Sequence, residues 1–282
     1  MCDVASLSDP LSAHQRAKGE LRVSFGVREG RTVLSGLRQE GCLKARFPRT
    51  GSDEWTSMVM LNSSGGVAGG DALATTISVG SGARATIAAQ AAERFYRALP
   101  ELGPARVRNR VEIGPNAAAE WLPQETILFD RCALDRQLDV MLAADGWFLG
   151  VEALMFGRTA MGERVNHAAL RDVIRVRRGD TLVLHDAVRL DGMIGTLLDR
   201  AAVMRDARGL ATVVHAAPDA EARLDAVRAA LASCDAESGA SAWNGLLVAR
   251  ILAADGLAMR SATVACIQAL RDARPLPRVW LC

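Results

Sequence analysis

Lysine is almost missing from this chain of 282 residues: Lys18 and Lys44 stand among 34 basic residues, so nearly all the positive charge is arginine. A Schiff base, a lysine general base or a phosphate-gripping lysine has only those two positions to use. Aromatic residues make up 4% of the chain, thin for a pocket lined by rings. The cysteines at 2, 42, 132, 234, 266 and 282 form no C-x-x-C pair. That spacing excludes a dense disulfide framework and a structural zinc site, and favours reduced thiols in the cytoplasm. His14, His167, His185 and His215 lie far apart, and no G-x-S-x-G elbow is present, so neither a histidine metal motif nor a serine hydrolase is supported. No window approaches the ~18 uninterrupted apolar residues of a membrane span. The first twenty residues lack the apolar core of a signal peptide. A net charge of +2 does not suggest a nucleic-acid binder, which should show a clustered basic face.

What is present is a large supply of core: half the residues are apolar. From about residue 20 to 215 the dominant period is two. Leu73, Thr75, Ile77 and Val79 share one face of an extended strand; Val107, Val111 and Ile113 share another. Cys132, Leu134, Leu138, Val140 and Leu142 alternate with Arg131, Asp135, Gln137 and Asp139. The breaks carry turn residues: GSG at 80–82, GPN at 114–116, ADG at 144–146 and RRGD at 177–180. The first three recur about every 30 to 35 residues, the length of two strands and their turns, which suggests hairpin units. Near the C-terminus the period becomes helical. One helix is expected from Pro218 onward, with Leu224, Val227 and Leu231 on its buried stripe. A second is expected from an N-cap at Ser261 to a stop at Pro275. The expected fold is mainly β: two stacked β-sheet layers built of hairpins, with two α-helices near the C-terminus. Residues 1–18 are expected to be a loose tail and 19–282 a single domain, since no Pro/Ser-rich linker divides them.

The stretch NSSGGVAGGD, 62–71, resembles a phosphate loop at first sight. A phosphate loop needs a helix N-terminus behind its glycines, and usually a lysine. Here the strand LATTISV follows and no lysine does. Gly65, Gly66, Gly69 and Gly70 are therefore expected to serve a tight turn, through positive φ or close backbone approach, with Asp71 bonding back to loop amides. The stretch EWLPQETILFD, 120–130, sets Glu125 and Asp130 at the ends of an apolar run behind Pro123, either as functional carboxylates or as solvated acids at a strand entry. A glycosidase-like pair can also be drawn from Glu120, Glu125, Asp130, Glu152 and Glu163.

Taken together, NSSGGVAGGD, AAQAAERFYR, EWLPQETILFD, FGRTAMGE (156–163) and LPRVW resemble the urease accessory protein UreD family, called UreH in some systems, from about residue 38 to 281. The resemblance implies a non-catalytic assembly factor. Such a protein binds immature urease subunits together with UreF and the GTPase UreG, and helps load nickel into the urease active site. It implies no cofactor of its own, with Ni²⁺ as passing cargo. Cargo must not be trapped, which favours sparse oxygen ligands. Asp71 and Glu163, each following a glycine-bearing motif, are the first candidates for such a path; Glu125, Asp130 and Glu152 are the next. Family members commonly carry Lys-x-Tyr where this chain has Arg94 and Tyr96. The alternative function is a β-sheet enzyme acting on a small or sugar substrate through paired carboxylates.

Overall fold

The computed structural model describes residues 16–49, 55–158 and 161–281. Residues 1–15 of the expected tail lie outside them. Arg16 and Ala17 hydrogen-bond to the 62–71 loop, and the first strand begins at Lys18.

The strands are β1 (Lys18–Arg28), β2 (Arg31–Gly41), β3 (Leu43–Arg46), β4 (Thr56–Asn62), β5 (Ala72–Val79), β6 (Arg84–Ala89), β7 (Glu93–Phe95), β8 (Ala105–Ile113), β9 (Ala118–Leu122), β10 (Thr126–Leu128), β11 (Cys132–Leu142), β12 (Trp147–Phe156), β13 (Ala168–Arg178), β14 (Thr181–Gly192), β15 (Gly209–Ala216), β16 (Glu237–Trp243) and β17 (Leu246–Ala253). The helices are α1 (Ile194–Leu198), α2 (Leu224–Ala232) and α3 (Gly256–Ala269). Among the described residues the strands form two sheets. The first runs β14-β13-β11-β8-β5-β1-β2; the second runs β16-β17-β15-β12-β9-β6-β4-β3, with β7 and β10 beside β12. Their facing surfaces enclose one core, with Phe25, Ile77, Trp121, Leu134, Phe148 and Phe156 buried in it. Helices α2 and α3 cover the far side of the second sheet and enclose another core. Strand β12 lies between the two cores and is buried along nearly its whole length, which is why VEALMF reads as a continuous apolar run around one glutamate.

The alternation read from the sequence holds in β5, β8 and β11. The hairpin units do not hold in the middle of the chain. There successive strands cross from sheet to sheet: β5, β8, β11 and β13 are parallel neighbours in one layer, and β6, β9 and β12 are parallel neighbours in the other. A period of two fixes which face is wet but not the direction of the neighbouring strand. The recurring turns are the corners of this coil, stacked on one another. Gly114 N donates to Val79 O at 2.9 Å, Gly82 N to Pro115 O at 2.9 Å, Ala143 N to Ile113 O at 2.9 Å and Gly179 N to Leu142 O at 3.0 Å. Hairpins occur at the flanks, in β1–β2, β3–β4, β13–β14 and β16–β17.

The two C-terminal helices are present, and a third, the short α1, precedes them in the chain. Helix α3 begins earlier than expected. Its N-cap is Asp255, whose carboxylate accepts from Ala258 N at 2.9 Å, and Ser261 lies inside the helix. ADG at 254–256 supplies the cap. No helix among the described residues is long and apolar enough to cross a membrane.

Candidate functional site

The glycine loop joins β4 to β5 as a scaffold folded on its own amides. Asp71 is buried and its two oxygens accept Ala17 N at 2.8 Å and Ala68 N at 2.7 Å. Asn62 holds the other end, accepting from Ser64 N at 3.0 Å and donating to Glu93 at 3.1 Å. Gly65, Gly66 and Gly70 have positive φ. Gly69 does not; it is required by close approach, since a Cβ there would stand 2.6 Å from the Ala98 Cβ and 2.7 Å from Gly103 O. At Gly66 a Cβ would meet the Tyr96 ring as well as φ +140°. Gly66→Val is therefore expected to cost about 2–3 kcal/mol and to reduce soluble protein. An unchanged thermal midpoint would contradict this account of the loop.

Four of the sequence motifs meet here. Val67 N donates to Arg94 O, and Tyr96 N to Val67 O, both at 2.8 Å, so the glycine loop pairs with RFYR. The Tyr96 and Phe129 rings are 4.9 Å apart, and the Arg158 guanidinium lies 4.8 Å over Phe129. Arg158 Nε pairs with Glu163 at 2.8 Å. The fifth motif locks onto WLPQ: Trp280 Nε1 donates to Leu122 O at 3.0 Å, and Gln124 Nε2 donates to Val279 O at 2.7 Å. Below them Glu120, 0% exposed, receives Arg271 through both oxygens (2.8 and 2.9 Å), Arg274 at 2.9 Å and the Thr86 hydroxyl at 2.6 Å. Burial pushes the Glu120 carboxyl up, but the Arg271 hydrogen bonds and charge outweigh it and hold the group below the usual range. A carboxylate so held is a structural anion and does not serve as a general acid.

Between the sheets lies a cavity of about 160 Å³, bordered by the end of β4, the start of β7 and the Pro123–Gln124 turn. Glu93, Asn109, Thr75, Trp121, Arg136 and Glu152 line it. At its base Arg136 is buried. It grips Asp172 through Nε at 2.9 Å and Nη2 at 2.6 Å, and its Nη1 reaches Glu152 at 2.7 Å and Thr126 at 2.8 Å. The other Glu152 oxygen accepts the Trp121 indole N–H at 3.0 Å. One cation thus faces two buried carboxylates. Burial raises the Glu152 carboxyl, Arg136 opposes this and Asp172 adds to it, with a result of about 6. Glu93 is also raised by burial, with the Asn62 hydrogen bond opposing.

A carboxyl raised in the folded state contributes stability that is full below its unfolded pKa and is lost as pH rises through the folded one. The contribution of Glu152 should therefore grow as pH falls from about 6 toward about 4.3, the unfolded glutamate value. Glu152→Gln imitates the protonated group. It is expected to flatten the thermal midpoint against pH over that window, with no loss of stability at pH 7.5. A variant with the wild-type slope would show that Glu152 does not titrate there.

Of the acids named from the sequence, Glu152 lines the cavity. Asp71 clamps the glycine loop. Glu163 pairs with Arg158, whose guanidinium lies over Phe129. Asp130 accepts Asn166 N at 2.7 Å and His167 N at 2.9 Å, and Glu125 lies 3.6 Å from Arg260. No group of three or more His, Cys, Asp or Glu side chains among the described residues is placed to hold a metal ion together. Glu93, Arg136 and Asp172 were not singled out in the sequence. Arg136 had a signal: it falls in phase with the buried residues of its strand.

A family profile described as "UreD urease accessory protein" matches residues 17–281. The chain is 45% identical over 266 residues to the urease accessory protein UreD of Xanthobacter autotrophicus, covering 94% of this chain and 90% of that one. It is 41% identical over 280 residues to UreD of Rhizobium leguminosarum bv. viciae, covering 99% of each. Against UreD of Sinorhizobium medicae it is 45% identical over 272 residues, covering 95% of this chain and 97% of that one. The match runs through every motif that builds the glycine loop, the rim and the cavity: the chain belongs to the UreD urease accessory protein family.

Proposed function

We propose that this chain is a non-catalytic scaffold of urease maturation that binds immature urease in the cytoplasm together with UreF and the GTPase UreG, and helps deliver nickel. The observation that carries the reading is the interior cavity joined to the family match. Glu93 stands beside the end of β4 and Glu152 at the base, both lining one cavity, as single carboxylates rather than a closed cage. A divalent cation is attracted by such groups and not retained by a full ligand set. Ni²⁺ in this reading is cargo. Glu152 and Glu93 would meet it inside, with Asp71, Glu163, Glu125 and Asp130 as candidates outside the cavity. The raised carboxyl of Glu152 suits an ion that must leave again, since a proton competes for the same oxygen.

The test is capture from cells producing urease subunits, UreF and UreG. Tagged chain is expected to bring down urease and both partners, and to show no hydrolytic turnover alone. Recovery without urease or UreF would sink the scaffold reading.

A further inference from the structure

The C-terminal ends of three parallel strands form a rim. β7, β10 and β12 are in register as Phe95, Leu128 and Phe156, so Tyr96, Phe129 and Gly157 follow at one edge, with Arg158 next. The glycine loop supports this edge from one side: Tyr96 Oη donates to Gly65 O at 3.3 Å and the ring stands against Gly66. Tyr96 is 37% exposed and Met161, in the following loop, is 72% exposed. Aromatic, methionine and arginine side chains held on a rigid support are the residue types that anchor protein interfaces. The charge is one-sided. Arg158 is paired with Glu163 and Arg131 lies 3.7 Å from Asp130, whereas Arg94, Arg97 and Arg164 are exposed and make no ion pair among the described residues.

We infer that this rim is a docking surface for an acidic protein surface that presents an apolar side chain to the Tyr96–Phe129–Met161 patch. The inference rests on the scaffold reading and adds to it the place and chemistry of a contact. The rigid parts are already ordered by hydrogen bonds within the chain, so little conformational freedom is lost on docking. The unpaired arginines supply orientation and a salt-dependent association rate. None of the three lines the cavity, and of them only Arg94 acts on an interior carboxylate, its charge lowering Glu93.

The test uses the full chain and two probes, purified UreF and purified apo-urease, with binding measured at about 50 and 300 mM salt. Wild type and two variants are compared. One carries Arg94→Glu, Arg97→Glu and Arg164→Glu together; the other carries Met161→Asp. All four sites are exposed, so thermal midpoints should match wild type. The triple variant is expected to bind at least one probe about 30-fold more weakly at low salt, with the difference shrinking at high salt. Met161→Asp is expected to weaken the same probe about tenfold at both salts. Binding of both probes within twofold of wild type overturns the docking surface and leaves the scaffold reading standing. A wild-type chain that binds neither probe overturns the scaffold reading itself.

Discussion

Arg136→Met is expected to destabilise the protein by about 3–5 kcal/mol, a large share of the roughly 5–15 kcal/mol that holds a domain folded. The methionine keeps most of the side-chain volume, so the loss is electrostatic. Glu152 and Asp172 would then share a buried site with no cation. The thermal midpoint should fall by about 10 °C at pH 7.5. The deficit should shrink as pH falls, because a proton on Glu152 removes one of the two stranded charges. Adding Glu152→Gln and Asp172→Asn to Arg136→Met should recover most of the loss, since a neutral cluster has no unpaired charge to bury. An Arg136→Met protein with a wild-type midpoint at pH 7.5 would show that the cluster does not carry the stability assigned to it.

Glu120→Ala should have an effect of similar size by the opposite imbalance. It strands Arg271, buried beside it, and releases Arg274, whose guanidinium also lies 4.1 Å over Trp55. The expected cost is again about 3–5 kcal/mol. The damage should concentrate at the C-terminus, because Arg271 also holds the carbonyls of Arg274 and Pro275 that lead into Leu276–Trp280. Limited proteolysis should therefore cut between α3 and Trp280 in the variant before it cuts the sheets. Because the Glu120 carboxyl is lowered in the folded state, its contribution is present above the unfolded glutamate pKa, about 4.3, and is lost as pH falls through the folded value. The two buried glutamates thus respond to acid in opposite directions. A Glu120→Ala variant within about 1 kcal/mol of wild type, with an intact C-terminus, would contradict the locking role.

The strand faces were legible because burial on one side imposes a period of two. Leu73 to Val79 and Cys132 to Leu142 fall in the structure as they read in the sequence. The coil was not legible, since the same alternation serves a hairpin and a parallel neighbour, and only the stacked corners distinguish them. The glycine loop was legible as a turn, including the return of Asp71 to its amides, because a strand follows it. Gly69 differs from its neighbours for a reason outside the loop, the approach of Ala98 and Gly103 from another segment. Glu120 and Glu152 could be listed as acids, but their partners are distant: Arg271 is 151 residues from Glu120, and Asp172 reaches Glu152 through Arg136. The sequence signals for such clusters are a charge in phase with the buried face of a strand, as at Arg136, and a charge inside an apolar run, as at Glu152.

The most direct measurement is the nickel content per active site of urease purified from cells grown at one limiting nickel supply, with and without this chain. Full-length but nickel-poor, inactive urease is expected when the chain is absent, and loaded urease when it is present. Glu93→Gln with Glu152→Gln should give partial loading although the variant still co-purifies with urease at wild-type stoichiometry. Urease that fills with nickel equally well without the chain would contradict the account.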